Sequence, residues 1–331
     1  MILEYPAPIE TLPLKLREVP DPKPALNEVR VRVSSCAICR TDLHVIEGDL
    51  APARMPVIPG HQVVGVVDAI GAQCTKLRLG ARVGIAWLRH TCGECRFCAD
   101  DRENLCPYSQ YTGYTADGGY AEFAVVPEDF AYQIPAQFDD VQASPLLCAG
   151  IIGYRAMKRA NLRDGGTLAI FGMGSSAHIV LQIAAHRRCK VFVVSRNENH
   201  RKLAMDLGAT WAGEDAAKIP QKVQSAIVFA PVGEVVPAAL QSLDRGGVCA
   251  LAGIHMSPIP QLDYDRDLFQ ERDIHPVTAN TRKDAIELLE EAAKAGVQPH
   301  TTTYPLADAN RALSDLKSGK IDGTGVLVVK A

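Results

Sequence analysis

The stretch GGTLAIFGMGSSAHIVLQIAAHRRCKVFVVS (165–195) decides the fold. An apolar strand pattern at 165–172 is followed by a helical pattern at 175–188 and by a second strand at 190–195. Short apolar runs at 225–231 and 246–254 continue this alternation, and such runs are typical of buried parallel strands. Strands and helices that alternate in this way predict right-handed βαβ units and an α/β fold with a doubly wound parallel sheet.

The turn inside this stretch carries a G-x-G-x-x-A motif at Gly172, Gly174 and Ala177. Glycine lets the backbone approach a pyrophosphate closely, and the helix N-terminus supplies free N–H groups and partial positive charge. The motif follows a strand and opens a helix, which is the setting that a dinucleotide-binding site requires. We therefore predict that a nicotinamide dinucleotide binds here.

The residues after the second strand bear on which dinucleotide binds. Ser195 stands where NAD-binding folds usually carry an acid for the ribose hydroxyls, and Arg196 follows it. No carboxylate there would repel a 2′-phosphate, and Arg196 could pair with one, so the sequence favours NADP(H) over NAD(H). Glu198 keeps NAD(H) open, and Arg196 could equally be a solvated charge at the start of a helix.

The remainder of the chain is predicted to form a β-rich domain. Apolar and polar residues alternate from 11 to about 33, and strand-like runs recur between glycines after residue 61. The last strand (325–330) is expected to return to this domain. Before it, residues 284–295 read as an amphipathic helix with Ile286, Leu289 and Ala293 on one side.

Two groups of residues have the composition of metal sites. Cys39 and His61 offer a thiolate and an imidazole, which are preferred zinc donors, and a catalytic zinc needs three protein ligands. The third ligand is expected to be Cys148, where the β-rich region meets the α/β region, because a site between domains is accessible to cofactor and substrate. A cysteine in an apolar run is otherwise a packing residue.

The second group holds four cysteines at spacings of two, two and seven residues, which suits a closed tetrahedral zinc site. Its members are Cys92, Cys95, Cys98 and Cys106. Free or disulfide-paired thiols, and a four-cysteine iron–sulfur cluster, are the alternatives. The remaining cysteines are interpreted as packing residues: Cys36, Cys74, Cys189 and Cys249.

Composition excludes several classes of function. The 331 residues include 35 basic and 38 acidic side chains, a formal net charge of -3, so neither a nucleic-acid face nor a polybasic membrane anchor is expected. The start MILEYPAPIE lacks a basic segment followed by an apolar core, which leads us to expect a soluble, cytoplasmic enzyme. In that compartment clustered cysteines more often bind metal than form disulfides.

Four motifs together resemble the zinc-dependent alcohol dehydrogenases of the medium-chain dehydrogenase/reductase superfamily, most closely the microbial, yeast-like branch. They are CRTDLH (39–44), GIAWLRHTCGECRFC (84–98), YTGYTADGGYAEF (111–123) and LLCAGIIGYRA (146–156). The similarity covers essentially the whole chain. It implies a GroES-like, mostly β catalytic domain at 1–148 with a structural zinc lobe at about 88–108, a Rossmann domain at 149–284, and a return to the catalytic domain at 285–331.

The resemblance also implies roles for individual residues and two Zn²⁺ per chain. Cys39, His61 and Cys148 fall on the catalytic ligands, and Cys92, Cys95, Cys98 and Cys106 on the structural ones. Arg40 falls on a pyrophosphate-binding residue, Thr41 on a hydroxyl facing the zinc, Asp42 on an acid behind the histidine ligand, His44 on the outer end of a proton relay, and Trp87 on a wall of the substrate pocket.

The implied reaction is the interconversion of primary alcohols and aldehydes by hydride transfer with NAD(P)(H). Some ketones could also be reduced in this way. The zinc would lower the pKa of the alcohol, and its proton would leave through Thr41 and His44. Trp87, with Tyr111 and Tyr114 nearby, suggests a modest aromatic pocket for short alcohols and aldehydes, although the rings could be ordinary packing. The resemblance further implies a homodimer or homotetramer.

One departure from the family pattern lies beside the predicted zinc. Gln62 replaces a glutamate, so a neutral amide stands where the family has a charge, and the metal is expected to be somewhat more electrophilic. Two other functions stay open: a zinc-free enone or quinone reductase of the same fold, and a protein that binds nucleotide without turnover.

Overall fold

The structure is a computed structural model that describes residues 1–329. Within this range the chain forms two compact units. The β unit comprises Met1–Cys148, Ala279–Ala293 and the chain from Pro299 onward, and the α/β unit comprises Ala149–Thr278 and Lys294–Gln298. None of the helices in the described range is both long and apolar enough to cross a membrane.

The strands and helices are numbered in chain order. The strands are β1 (Ile2–Leu3), β2 (Leu14–Lys15), β3 (Glu28–Ala37), β4 (Gln62–Ile70), β5 (Arg82–Ile85), β6 (Leu88–His90), β7 (Gln110–Tyr111), β8 (Phe123–Pro127), β9 (Ala131–Gln133), β10 (Thr167–Phe171), β11 (Lys190–Val194), β12 (Trp211–Gly213), β13 (Val223–Val228), β14 (Leu243–Leu251), β15 (Asp273–Pro276), β16 (Thr301–Pro305) and β17 (Thr324–Val328). The helices are α1 (Arg40–Glu47), α2 (Arg96–Ala99), α3 (Asp140–Ala143), α4 (Ala149–Arg159), α5 (Ser175–His186), α6 (Glu198–Asp206), α7 (Val236–Ser242), α8 (Arg282–Ala295) and α9 (Ala309–Lys317).

The β unit is built on a sheet with the order β16-β17-β3-β4-β5-β9, and β8 also pairs with β3. Along β3 the buried Val29, Val31 and Val33 alternate with arginines, which is the period-two pattern that the sequence predicted. The predicted last strand is β17, which pairs antiparallel with β3; Lys330, which the prediction included, lies outside the described residues.

The α/β unit contains a parallel sheet with the order β12-β11-β10-β13-β14-β15. The first strand in sequence, β10, therefore lies inside the sheet, and the chain proceeds outward from it in both directions. This is the strand order of a Rossmann fold, whose ligands bind where the direction reverses, beside the end of the first strand. The predicted fold class, a GroES-like domain with a doubly wound parallel sheet, is confirmed.

The helix predicted at 284–295 is present as α8, but the apolar side predicted for it is wrong at Ile286. In α8 the buried apolar residues are Ala285, Leu288, Leu289 and Ala292, whereas Ile286 is 52% exposed. Thr281 and Asp284 exchange backbone-to-side-chain hydrogen bonds at 3.0 and 3.1 Å, which fixes where the helix begins. The buried apolar stripe at i, i+3, i+4 and i+7 begins at Ala285, one residue before Ile286.

Candidate active site

The sulfur atoms of Cys39 and Cys148 and a ring nitrogen of His61 all lie within 4.8 Å of one another. Cys39 follows β3 and His61 precedes β4. Because these antiparallel strands pair Ala37 with Gln62, the sheet register brings Cys39 and His61 to the same end of the strand pair. Cys148 joins them from the turn before α4, with its sulfur 4.0 Å from that of Cys39. The structure thus assembles the predicted set of two cysteines and one histidine within the β unit.

The imidazole of His61 is completely buried and has only one of its nitrogens occupied. Its Nδ1 lies 2.9 Å from Oδ1 of Asp42, whereas Nε2 has no hydrogen-bond partner among residues 1–329. Burial acts to lower the pKa of His61, but the charge of Asp42 and its hydrogen bond outweigh burial and raise the pKa to about 10. A buried ring nitrogen that is left unpaired beside two thiols is what a metal ligand requires.

The pKa values of the Cys39 and Cys148 thiols are shifted in opposite directions. A hydrogen bond from Cys148, with the nearby His61, holds the pKa of Cys39 well below its usual range, while the same hydrogen bond and burial raise that of Cys148. Cys39 also caps α1: the Thr41 N–H donates to its sulfur at 3.5 Å, and its own N–H donates to Asp42 at 2.8 Å. A helix N-terminus stabilises a thiolate, which is the form that binds zinc.

Helix α1 carries the other predicted residues of this segment. Arg40 is exposed at its first position, and the buried Thr41 has its hydroxyl oxygen 3.6 Å from the Cys39 sulfur. His44 lies on the next turn, with Nδ1 2.8 Å from Oδ2 of Asp49. One short helix therefore presents a cation, a hydroxyl beside the sulfur of Cys39, and an imidazole one turn further along.

An aromatic cluster lies beside His61. The ring of Trp87 contacts the imidazole edge-on, with 5.0 Å between centroids, and the rings of Tyr111 and Tyr114 lie nearly parallel to the indole at 4.9 and 5.8 Å. The Tyr114 hydroxyl donates to the carbonyl of Ala51 at 2.7 Å. Trp87 is only partly buried, so this cluster can form a wall of a pocket next to the metal group.

Gln62 follows the histidine ligand directly and begins β4. It is 1% exposed, and its Oε1 has no hydrogen-bond partner in the described part of the chain. The residue that departs from the family pattern is thus a buried neutral amide whose oxygen is available as an acceptor.

The four cysteines at 92–106 form the second group, with their sulfur atoms all within 4.8 Å. Individual sulfur pairs lie 3.6 to 4.0 Å apart, and the Cys95 N–H donates to the Cys92 sulfur at 3.3 Å. The N–H groups of Glu94 and Cys95 lower the pKa of Cys92 to about 7. All four are free thiols, and four converging sulfurs leave no open position on a tetrahedral metal.

The G-x-G-x-x-A motif lies where strand β10 passes into helix α5. Gly172 has φ +92°, and a Cβ there would lie 3.0 Å from the backbone nitrogen of Ala230, so this position needs glycine. A Cβ on Gly174 would meet nothing within 4 Å, which leaves open space at the N-terminus of α5. Ala177 is fully buried in that helix. The arrangement suits a dinucleotide pyrophosphate.

Two arginines lie near Ser195, and they differ in whether neighbouring groups already bind their side chains. Arg201 donates to the carbonyls of Ser195 and Arg196 at 2.9 and 2.8 Å, and it pairs with Glu214 at 3.1 Å. Arg196 itself is exposed at the end of β11. Arg201 is therefore committed to the local backbone, and Arg196 is the cation better placed for a phosphate.

One residue of this site was missed by sequence reasoning. Tyr120 is fully buried, and its hydroxyl donates to Oδ2 of Asp42 at 3.0 Å. Its only signal was the glycine pair before it in the motif at 111–123, which predicts a close backbone approach and does not identify the partner.

Comparisons with known proteins agree with this fold. The model for the alcohol dehydrogenase GroES-like domain matches residues 25–136, and that for the zinc-binding dehydrogenase matches 177–294. A probable alcohol dehydrogenase, AdhA, of Mycobacterium tuberculosis is 50% identical over 329 residues, covering 98% of this chain and 95% of the relative. An alcohol dehydrogenase of Geobacillus stearothermophilus is 37% identical over 327 residues, covering 96% of each.

A solved structure shares the whole architecture. The cobalt- and zinc-bound thermostable alcohol dehydrogenase from Pyrobaculum aerophilum superposes with a TM-score of 0.89 at 26% identity, covering 99% of this chain and 98% of that one. The fold and the site together define a zinc-binding dehydrogenase. The chain belongs to the zinc-type alcohol dehydrogenases of the medium-chain dehydrogenase/reductase superfamily, as the sequence motifs indicated.

Proposed function

We propose that the protein interconverts primary alcohols and aldehydes by hydride transfer with NADP(H) and holds two zinc ions per chain. The observation that carries the proposal is the convergence of Cys39, Cys148 and the buried His61, whose unpaired Nε2 and low-pKa thiolate suit a zinc with one open position. The four-cysteine group would hold the structural zinc.

Cys39, His61 and Cys148 would hold the catalytic zinc, which would supply a Lewis acid that lowers the pKa of an alcohol. The protein's own residues do the rest. Thr41 would accept the alcohol proton on its hydroxyl while giving up its own, and His44 would deliver one proton to solvent. The G-x-G-x-x-A turn and Arg40 would hold the pyrophosphate, and Trp87 would limit the size of the substrate.

The two competing functions have less support. A zinc-free enone or quinone reductase would not need two cysteines and a histidine whose ligand atoms all lie within 4.8 Å of one another. A protein that binds nucleotide without turnover would not need Thr41 and His44 on the helix that begins at a metal-ligand candidate. The set as a whole favours catalysis with alcohols.

The cofactor preference rests on Ser195 and Arg196. A carboxylate is absent from the position after β11, and Arg201 is bound to backbone carbonyls, so Arg196 would pair with the 2′-phosphate of NADP(H). Arg196→Ala should then raise KM for NADPH about ten- to a hundredfold and leave KM for NADH unchanged. Lys202→Ala, which removes an exposed cation in the helix α6 that follows Arg196, is the matched control.

The test of the function combines metal content with initial rates. The purified protein should contain two zinc ions per chain and reduce acetaldehyde and benzaldehyde, faster with NADPH than with NADH. Cys148→Ser should lose one zinc and the activity, whereas Cys74→Ser, which removes a thiol outside both groups, should keep both. Full zinc content without turnover on either aldehyde would contradict the proposal. Sedimentation of the same protein would test the predicted homodimer or homotetramer.

A further inference from the structure

The motif at 111–123 closes around the residues that precede the histidine ligand. Three successive N–H groups of this segment donate to carbonyls of the chain just before His61. They are Gly118 to Ile58 at 2.7 Å, Gly119 to Gly60 at 2.9 Å and Tyr120 to Pro59 at 3.0 Å. The approach is close enough that a Cβ on Gly118 would lie 2.0 Å from the Gly60 carbonyl oxygen. The segment therefore braces the backbone that carries His61.

Tyr120 contacts this backbone with its ring. Gly60 has φ +96°, and a Cβ on it would lie 2.3 Å from the ring of Tyr120, so the ring occupies the space that any other residue at this position would fill. Because Gly60 is bonded directly to His61, the ring limits how the ligand's backbone can move. Tyr120 itself is completely buried, and its own packing holds it there.

The hydroxyl of Tyr120 reaches the same ligand by a second route. Oδ2 of Asp42 accepts the hydroxyl at 3.0 Å and the Cys39 N–H at 2.8 Å, while Oδ1 faces Nδ1 of His61 at 2.9 Å. Two donors on one oxygen fix the plane of the carboxylate, and that plane sets the direction of its bond to the imidazole. Asp42 is only 2% exposed, so water cannot easily replace a lost donor.

We propose that Tyr120 is a positioning residue for the metal ligand His61, its hydroxyl acting through Asp42 while its ring stays packed against Gly60. The inference rests on the proposed function, because it requires a zinc at Cys39, His61 and Cys148. Groups that orient a ligand from behind set metal affinity, and their loss typically weakens binding about 10- to 100-fold. Tyr120 lies one hydrogen bond further from the metal, so a smaller effect follows.

The test is the rate at which a chelator removes zinc from the intact protein. Tyr120→Phe keeps the ring and deletes the hydroxyl, and it should release the catalytic zinc about three- to tenfold faster than the unaltered chain. Release from the four-cysteine site should not change. Cys148→Ser, which lacks the catalytic site, identifies the phase that belongs to the structural zinc.

Tyr132→Phe is the matched control. Tyr132 is also a buried tyrosine of the β unit, 4% exposed, but its hydroxyl has no hydrogen-bond partner among the described residues. Its variant should release both zinc ions at the normal rates. Equal acceleration of both phases in Tyr120→Phe, or unchanged release of the catalytic zinc, would overturn the proposal.

Zinc release also distinguishes failure of the proposed function from failure of the role of Tyr120. An unaltered chain that binds zinc only at the four-cysteine site would show one release phase, and both the function and the role of Tyr120 would then be wrong. Two release phases that are identical in the unaltered chain and in Tyr120→Phe would leave the function standing and remove only the role of Tyr120.

Discussion

Nδ1 of His44 lies 2.8 Å from Oδ2 of Asp49, and the two residues are separated by the end of α1 and its terminal Gly48. A carboxylate accepts hydrogen bonds, so this contact keeps the proton on Nδ1 and leaves Nε2 as the acceptor. The tautomer is the one that a relay needs, because a proton arriving at Nε2 can be passed on from Nδ1.

This relationship predicts the behaviour of relay variants. His44→Gln should slow alcohol oxidation at pH 7 on the order of ten- to a hundredfold, since no side chain then carries the proton outward. The deficit should shrink at pH 9, where hydroxide takes over. Asp49→Asn should give a smaller loss, because the imidazole stays. Turnover measured from pH 6 to pH 10 checks this, and a His44→Gln profile that superposes on the original would contradict it.

The aromatic cluster predicts a change in substrate preference. Trp87→Ala should raise the ratio of kcat/KM for benzyl alcohol to that for ethanol at least about tenfold, because removal of the indole enlarges the space for substrate beside His61. The ratio is measured because loss of the edge-on contact with His61 should slow the oxidation of both alcohols alike, and a common factor cancels in the ratio. Tyr111→Phe keeps the stacked ring and should leave the ratio unchanged. The same ratio in Trp87→Ala would mean that the indole does not face the substrate.

The four-cysteine lobe is tied to the rest of the β unit by Glu103, which stands three residues before Cys106. Its carboxylate accepts hydrogen bonds from the backbone N–H and the guanidinium of Arg282 at 2.7 to 3.1 Å, and its side chain is only 9% exposed. The guanidinium also lies over the ring of Phe130, 5.0 Å from its centroid. The start of α8 is thereby held to the segment that carries the lobe.

Glu103→Gln should lower the free energy of unfolding by about 2 kcal/mol, the value expected for hydrogen bonds to a charged group. Asp129→Asn is the control: that carboxylate approaches the same guanidinium at 3.8 Å but is about half exposed, so about 0.5 kcal/mol or less is expected. Urea unfolding of the zinc-loaded protein measures both. Equal effects of the two substitutions would show that the burial of Glu103 does not strengthen its bond.

Asp267 in the α/β unit predicts a dependence of stability on pH. The carboxylate is fully buried and accepts hydrogen bonds from Arg266, from Gln241 and from the Asp263 N–H. Arg266 lowers its pKa from 3.8 to about 2. A lowered carboxyl pKa stabilises the folded state above the unfolded pKa, and this contribution, about 2 kcal/mol, is lost as pH falls from about 4 towards 2.

Asp267→Asn should therefore lower stability at pH 7 by about 2 kcal/mol, and the difference from the unaltered chain should narrow below pH 4. Thermal unfolding at a series of pH values measures it. Asp265→Asn, an exposed acid in the same turn, should have little effect at any pH. A deficit in Asp267→Asn that is constant down to pH 2.5 would show that the carboxylate's charge is not what stabilises the turn.

Features that depend on neighbours in the sequence were open to prediction. The alternation of strands and helices from residue 165 onward follows from local periodicity, and the G-x-G-x-x-A turn follows from what glycine permits at one sharp bend. The four cysteines span 15 residues (92–106), so one loop can bring their sulfurs together whatever surrounds it. Cys39 caps α1 because the cap residue and its partners are consecutive.

Features that join distant segments were decided by the tertiary structure. Cys39 and Cys148 are 109 residues apart and Tyr120 and Asp42 are 78 apart, and sheet register and close packing bring each pair together. The buried face of α8 was misjudged at Ile286, because local periodicity allows two overlapping apolar stripes and only packing selects one of them. The sequence by itself determined which donors the chain has, since these are fixed by residue type. Only the fold decided which donors meet, because a shift of one residue in a strand turns every side chain to the opposite face.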